Sequence, residues 1–187
     1  GNRMIFVSGA NGQFAGSVIA TILSAGRADM LAVGTRDVNS RFARELAARG
    51  VSVRAADFRQ PEQMRRAFEG ISKALLIPTY DTNDVRLQQN MNALQAAKDA
   101  GVGHVVYASF LRADSPLVEH SRLVHFPTEQ AIRSSGLAFT ILRHALYADI
   151  LVGDLADTLS SGLLHRPSGV ARSAYIARSD LGISAAR

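Results

Sequence analysis

The sequence predicts a doubly wound α/β fold, in which helices cover both faces of a parallel sheet. Short apolar segments that are typical of buried strands alternate with segments whose apolar residues recur at helical spacing. Strands that helices join in this way run parallel, and right-handed crossovers place the helices on both faces. In addition, the segment Met4–Gly16 leads from an apolar strand into a glycine-rich turn and then a helix. Ligands of such sheets bind beyond the carboxyl ends of the strands.

Met4–Val7 is the first predicted strand, and the pattern Gly9-x-x-Gly12-x-x-Ala15-Gly16 follows it. Gly9 permits a tight turn, and Gly12 lets a diphosphate approach bare backbone. The small Ala15 and Gly16 are expected to let the next helix pack closely on the sheet. The pattern therefore predicts a cradle for the phosphates of a nucleotide.

The helix after this turn offers free N–H groups and the positive end of its dipole to phosphates. The amphipathic segment Val18–Leu23 and a second apolar strand complete a βαβ unit. This context favours a Rossmann-type NAD(P)-binding fold over a purely structural turn, which is the alternative. The cofactor-binding residues predicted in the turn are Gly9, Ala10, Asn11, Gly12, Gln13 and Phe14.

The same alternation continues along the chain, with glycines after most of the helices. The further predicted strands are Met30–Gly34, Val51–Ala55, Lys73–Ile77, His104–Ala108 and Leu137–Leu142. The helices between them are predicted at Arg41–Ala48, Pro61–Phe68, Val85–Ala100 and Phe126–Ser135.

Beyond Tyr147 the pattern is weaker. Ile150–Leu164 is helical in spacing, Val170–Ile176 is a candidate strand, and Asp180–Arg187 begins another helix. We therefore expect an NAD(P)-binding domain at residues 4–147. Residues 148–187 are expected to start a small, truncated C-terminal portion that binds the substrate.

The composition restricts the class of protein. With 187 residues the chain can bury one sizeable core, and without cysteine it has no disulfide, thiolate metal ligand or cysteine nucleophile. No apolar run approaches the roughly 20 residues of a membrane helix, and the first residues do not resemble a signal peptide. We therefore expect a cytoplasmic protein without a membrane partner.

The formal net charge of +5 comes from scattered arginines rather than from a basic tail. Acidic residues are interleaved with these arginines, and no aromatic residues alternate with them to stack bases. The sequence therefore predicts no nucleic-acid partner.

The residues after the second, third, fourth and sixth strands are expected to line one cleft. Arg36 follows the second strand, where an arginine accommodates the 2′-phosphate of NADPH and a carboxylate favours NAD. Asp57 and Phe58 follow the third strand and are candidates for contacts to adenine, and Pro78 and Arg143 lie at two further strand ends. The alternatives are a solvated surface arginine at Arg36 and a helix-starting aspartate at Asp57.

Catalysis near a nicotinamide requires a hydroxyl and a general acid. Ser109 ends the fifth strand, and His125 and Glu129 are four residues apart and share one face of a helix. Ser109 could instead form a turn, and His125 and Glu129 could be a capping histidine and a surface glutamate. No third ligand at suitable spacing accompanies these two, so no metal site is predicted.

Several segments together resemble the NmrA-like branch of the atypical short-chain dehydrogenases, and within it the bacterial NADPH-dependent quinone oxidoreductases. The resemblance covers residues 4–185 and implies NADPH rather than NADH as cofactor, with a quinone-like small molecule as acceptor. Members of this family continue past the end of this chain. The segments are Ser8–Phe14, Thr35–Asp37, Ala56–Phe58, Ala74–Pro78, Tyr107–Ser109, His125–Glu129 and Thr140–Arg143.

The chain lacks the Tyr-x-x-x-Lys pair of the extended dehydrogenase family, since none of its four tyrosines is followed by lysine four residues later. The aligned positions hold His125 and Glu129, as in the quinone reductase relatives. Two alternative functions remain, a non-catalytic NAD(P)-sensing regulator of the NmrA type and a nucleotide-sugar epimerase. The oligomeric state is left open, a homo-oligomer included.

Overall fold

Six parallel strands form the central sheet of the protein in a computed structural model, which describes residues 4–153, 155–163 and 173–187. The strand order is β3-β2-β1-β4-β5-β6, and every neighbouring pair is parallel. This arrangement confirms the predicted doubly wound sheet. The strands are β1 Met4–Val7, β2 Leu31–Thr35, β3 Ser52–Ala55, β4 Ile71–Leu76, β5 His104–Phe110 and β6 Ala138–His144.

Five helices connect these strands, and their ends follow from local sequence. The Ser40 side chain accepts a hydrogen bond from Ala43 N at 3.2 Å and caps the second helix, while Pro61 opens the third. A five-residue π-helix at Ser121–His125, which the sequence analysis did not predict, precedes the fifth. The helices are α1 Gln13–Ser24, α2 Arg41–Ala48, α3 Pro61–Ala67, α4 Asn83–Asp99 and α5 Phe126–Arg133.

Two buried apolar clusters lie on the two faces of the sheet. Phe6 belongs to the cluster with Met64 of α3, and the next residue, Val7, belongs to the cluster with Val18 of α1. Side chains alternate between the two faces of a strand, so a strand covered on both sides is apolar throughout. A Cβ on Gly34 would lie 2.5 Å from the Phe6 ring, which explains the glycine inside β2.

The order of the strands reverses between β1 and β4, because the chain first builds β1, β2 and β3 outward and then returns to add β4. In open parallel sheets such a reversal leaves a crevice at the carboxyl ends of the strands. The glycine-rich turn follows β1 at this edge, so the crevice positions the predicted nucleotide cradle.

After β6 the chain forms a small parallel pair, β7 Leu146–Tyr147 with β8 Tyr175–Ile176. The helices of this part are α6 Asp149–Gly153, α7 Leu155–Ser161 and α8 Arg178–Ala185. Of the strand predicted at Val170–Ile176, residues 170–172 lie outside the described part of the chain.

Helix α8 packs along α1. Ser17 Oγ of α1 donates a hydrogen bond to the Ser179 carbonyl at 3.3 Å, and a Cβ on Gly182 would overlap Ser17. Leu181 joins the buried cluster that contains Val18. Among the helices in the described ranges, none is sufficiently long and apolar to cross a membrane.

Candidate cofactor and active site

The glycine-rich turn joins β1 to α1 with the backbone geometry that the motif predicts. Gly9 has φ +62°, a left-handed conformation that glycine adopts without strain. Gly12 N donates to the Gly9 carbonyl at 2.9 Å, and a Cβ on Gly12 would lie 3.3 Å from that oxygen. The turn is tight, and Gly9 and Gly12 are exposed.

Gly16 contributes differently from the prediction. A Cβ on Gly16 would have no atom within 4 Å outside its own helix. Close packing of α1 on the sheet depends instead on Ala15, which is 1 % exposed. The prediction that Gly16 permits this packing is therefore wrong.

The N-terminus of α1 is open. Gly12 occupies the N-cap position and offers no side-chain hydrogen bond, and the first turn contains no acidic residue. The first N–H groups of a helix have no partner within the helix, and they carry the positive end of its dipole. An anion at this position would meet free donors and a favourable field.

The end of β2 is connected to this turn. Thr35 Oγ1 donates to Asn11 Oδ1 at 3.3 Å, and Ala10 N donates to the Gly34 carbonyl at 3.1 Å. These two bonds fix the turn beside β2. Ala10 and Phe14 are both buried, and the Phe14 ring lies 4.7 Å from the ring of His144. The side chains of Ala10 and Phe14 therefore anchor the turn in the core.

Arg36 lies just beyond β2 and is exposed. Its guanidinium makes no hydrogen bond or ion pair to any residue in the described ranges, although its charge acts on Asp57. Asp57 itself is bound by Arg59, whose Nη2 lies 2.7 Å from Asp57 Oδ2. The hydrogen bonds from Arg59 lower the pKa of Asp57, and the charge of Arg36 contributes. Arg36 is thus free to meet an anion.

Phe58 and Pro78, two other residues of the predicted cleft, are less exposed than Arg36. The Phe58 side chain is 6 % exposed and packs in the core with Phe6 and Met64, so it does not offer its ring to adenine. Pro78 is half-buried and follows β4, where Ile77 N donates to Ser8 Oγ at 2.7 Å. That bond joins the end of β4 to the start of the glycine-rich turn.

Ser109, Glu129 and Arg143 form one network around a buried carboxylate at the carboxyl ends of β5 and β6. Ser109 Oγ donates to Glu129 Oε1 at 2.6 Å. Arg143 donates from Nε to Oε1 at 2.9 Å and from Nη2 to Oε2 at 2.7 Å. Glu129 is 1 % exposed. Burial raises its pKa, but the hydrogen bonds from Arg143 and Ser109 outweigh that effect and hold the pKa below its ordinary value.

This network changes the interpretation of Arg143. A bidentate pair with a buried carboxylate occupies its guanidinium, and Arg143 Nη1 also lies 3.6 Å from Asp114 Oδ1. Arg143 therefore positions Glu129. The two carboxylates compensate the charge of Arg143, which was predicted to contact the cofactor.

His125 belongs to a second network. Its Nδ1 lies 3.0 Å from the hydroxyl of Tyr107, and Asn90 Nδ2 donates to Tyr107 Oη at 3.2 Å and to Thr128 Oγ1 at 3.1 Å. Burial lowers the pKa of His125 to about 4, with the charge of Arg86 acting in the same direction. The imidazole is therefore neutral at neutral pH.

His125 and Glu129, the predicted acid–base couple, make no hydrogen bond to each other within the described part of the chain. The two side chains share a helix face, but each is held by its own partners, Tyr107 in one case and Ser109 with Arg143 in the other. The sequence predicted no site role for Tyr107 or Asn90, because only their three-dimensional proximity to His125 distinguishes them from ordinary strand and helix residues.

The geometry agrees with what comparison of the chain with known proteins finds. The family model described as "NmrA-like family" matches residues 1–171. The chain belongs to the NmrA-like family. Its relatives include Quinone oxidoreductase 2 of Escherichia coli, which is 33 % identical over 98 % of this chain and 63 % of that protein. An NAD(P)H azoreductase of Xenophilus azovorans is 29 % identical over 95 % of this chain and 60 % of that protein.

Solved structures show the same fold. The NmrA-like chain superposes on triphenylmethane reductase of Citrobacter sp. complexed with NADP(H) with a TM-score of 0.90 at 35 % identity. It superposes on the Escherichia coli NADPH-dependent quinone oxidoreductase complexed with NADPH with a TM-score of 0.91 at 31 % identity. Each match covers 98 % of this chain and 64 % of the other chain. This chain therefore spans less than two thirds of the length of these relatives.

Proposed function

We propose that this NmrA-like protein is an NADPH-dependent oxidoreductase that passes hydride to a quinone-like acceptor. One observation carries the proposal, which is that two places suited to phosphate lie at the ends of two neighbouring strands. The uncapped N-terminus of α1 follows β1, and Arg36 follows β2 and has no hydrogen-bond or ion-pair partner in the described ranges. A diphosphate fits the first position, and a 2′-phosphate fits the second. The names of the relatives agree with this assignment.

The residues present suit NADPH. Gly9, Asn11, Gly12 and Gln13 leave the backbone of the turn exposed, and Arg36 offers a planar guanidinium that can hold a phosphate in a bidentate manner. NADPH, when bound, supplies the hydride. The protein contributes binding and orientation, which are its usual share of such chemistry.

Ser109, His125 and Glu129 remain the proposed active-site residues, acting as positioning groups rather than as proton donors. Glu129 is held as a carboxylate, Ser109 Oγ already donates to it, and His125 is neutral. A quinone suits such a site, because hydride transfer leaves an aromatic oxyanion that water can protonate. Orientation of the two reactants then supplies much of the rate enhancement.

None of Ser109, His125 and Glu129 is available as an acid, and this favours a second candidate, an NAD(P)-sensing regulator without turnover. In that case the same cradle binds the dinucleotide, and the occupied state is transmitted to a partner. Turnover separates the two candidates, because only the oxidoreductase consumes NADPH.

The test is a calorimetric titration with NADPH and NADH, followed by an assay of NADPH oxidation with several benzoquinones and naphthoquinones. We expect saturable binding that favours NADPH, and oxidation that requires the quinone. Failure to bind either dinucleotide would refute the proposal. Binding with zero turnover on every quinone would leave the regulator.

A further inference from the structure

Arg178 is the first residue of α8, and its side chain lies against the glycine-rich turn. Its partner in that turn is Gln13, which is 165 residues away in sequence. The Nη1 of Arg178 donates a hydrogen bond to Oε1 of Gln13, the first residue of α1. Among the residues that the structure describes, Arg178 is the basic side chain that hydrogen-bonds this turn. A guanidinium charge therefore lies beside the open end of α1.

The neighbours of Arg178 hold it in this place. Its guanidinium lies over the Tyr147 ring, with Cζ 4.5 Å from the ring centroid, and its backbone N donates to Asp149 Oδ2 at 3.1 Å. A cation over an aromatic ring is attracted to the face of the ring. Arg178 is half-buried, so packing against its neighbours restricts its side chain more than that of a fully exposed arginine.

The Arg178 guanidinium would bind a phosphate at the N-terminus of α1 more strongly than it binds its present partner, Gln13. Gln13 provides a neutral amide oxygen, whereas a phosphate at the α1 N-terminus provides charged oxygens. The Arg178 guanidinium is charged with either partner, but only the phosphate adds a negative charge and therefore a Coulombic attraction to the hydrogen bond. Arginine also binds phosphate through two parallel N–H bonds. A diphosphate seated on the turn would therefore compete with Gln13 for the same guanidinium.

We propose that Arg178 is a binding residue of the dinucleotide site, which pairs with the diphosphate and thereby couples cofactor binding to the docking of α8 on α1. The inference rests on the proposed function, because it needs a dinucleotide in the cradle. It adds a residue from the C-terminal part of the chain to the two phosphate positions, which are otherwise formed by the turn after β1 and by Arg36 after β2.

The coupling follows from how α8 is attached. Its contact with α1 runs through small residues, with Gly182 against Ser17 and Ser17 Oγ bonded to the Ser179 carbonyl. An ion pair from Arg178 to a ligand on α1 would replace the present bond to the neutral Gln13 side chain with a stronger bond between the same two helices. The bound ligand should then slow hydrogen exchange of the α8 amides, because opening of α8 would break that bond.

Two small ligands test the diphosphate position and the 2′-phosphate position one at a time. ADP carries a diphosphate and no 2′-phosphate, and 2′-AMP carries a 2′-phosphate and no diphosphate. We expect Arg178→Gln to weaken ADP about tenfold and to leave 2′-AMP within about twofold. Arg178→Lys should recover part of the loss, and Arg36→Ala should show the opposite pattern. Lys98→Gln, which removes one charge from the exposed far end of α4, is the matched control.

The outcomes distinguish this inference from the function on which it rests. If the wild-type protein binds neither ADP nor 2′-AMP nor NADPH, the dinucleotide site itself is wrong. If the wild-type protein binds ADP and Arg178→Gln binds it equally well, Arg178 has no role at the diphosphate. An equal loss of ADP and 2′-AMP, with a lower melting temperature, would make Arg178 a folding residue and overturn the inference. Unchanged α8 exchange on ADP binding would overturn the coupling.

Discussion

At the scale of single residues, two buried titratable side chains of the site, Glu129 and His125, have protonation states that their surroundings determine. Glu129 is a carboxylate because Arg143 and Ser109 donate to it, and His125 is neutral because burial penalises its charged form. Neither state follows from the spacing of the two residues in the sequence. The pattern correctly placed both on one helix face, but the partners come from β5 and β6.

Replacing Glu129 by glutamine tests the network at β5 and β6. The variant keeps the shape of the side chain but removes the charge that holds Arg143, which is one-third exposed and can regain water. We expect the free energy of unfolding in urea to fall by about 1–2 kcal/mol. The control Glu119→Gln, at an exposed position, should change it by less than about 0.5 kcal/mol. Equal effects of the two variants would show that the buried pair contributes nothing specific.

The histidines predict a loss of stability in mild acid. Burial lowers the pKa of both His125 and His144 to about 4, whereas an unfolded histidine titrates near its ordinary value of about 6.5. Between those values the unfolded state binds more protons than the folded state, so stability falls as the pH is lowered. We expect up to about 2 kcal/mol per histidine to be lost by pH 5.

Urea unfolding at pH 7 and pH 5 measures this loss, and nuclear magnetic resonance of the histidine rings assigns it. The ring of His125 should still be neutral at pH 5, and His125→Gln should reduce the dependence of stability on pH. A midpoint of the His125 ring signal near its ordinary value would contradict the burial argument.

At the scale of elements, most of the secondary structure follows from local rules, and the exceptions have tertiary causes. Helix α2 runs from Arg41 to Ala48 as predicted, and β1 covers Met4–Val7 as predicted. The π-helix before α5 could not be predicted from apolar spacing. The burial of Phe58 depends on Phe6 and Met64, which belong to other elements, so its local position after β3 gave no signal.

The two glycines at the start of α1 should respond oppositely to a side chain. Gly12→Val should abolish dinucleotide binding without unfolding the protein, because Gly12 has an extended backbone at φ −78° and ψ 151° that valine can adopt. Gly16→Ala should bind normally and be more stable by roughly 0.5–1 kcal/mol, because the space around it is open. Calorimetric titration and thermal melting measure both. Unchanged affinity in Gly12→Val would refute the cradle.

The packing of α8 on α1 is tested at Gly182. An added Cβ would lie 2.8 Å from the Ser17 carbonyl carbon and closer to its side chain, so Gly182→Ala should push the helices apart. We expect about 1–3 kcal/mol of destabilisation, as for other overpacked contacts. Ile183→Ala, on the exposed side of the same helix, should have a smaller effect. A neutral Gly182→Ala variant would show that α8 adjusts freely.

At the scale of the whole molecule, the order of strands brings the separate parts of the site together. The reversal between β1 and β4 opens the crevice, the turn after β1 and Arg36 after β2 lie where we propose that the nucleotide binds, and the end of β5 carries Ser109. Alternation of strands and helices was sufficient to predict this sheet. The contact of Arg178 with Gln13 was not predictable, because it depends on how the last helix returns to the first.

The most direct measurement is the affinity of Arg36→Ala for NADPH and for NADH, in parallel with the wild-type protein. A bidentate contact from Arg36 to the 2′-phosphate predicts that NADPH binding weakens by roughly 1.5–3 kcal/mol, about ten- to a hundredfold. NADH lacks this phosphate, so its affinity should scarcely change, and the preference for NADPH should collapse from one side only. An equal loss for both dinucleotides, or no loss for either, would contradict the assignment of Arg36 to the 2′-phosphate.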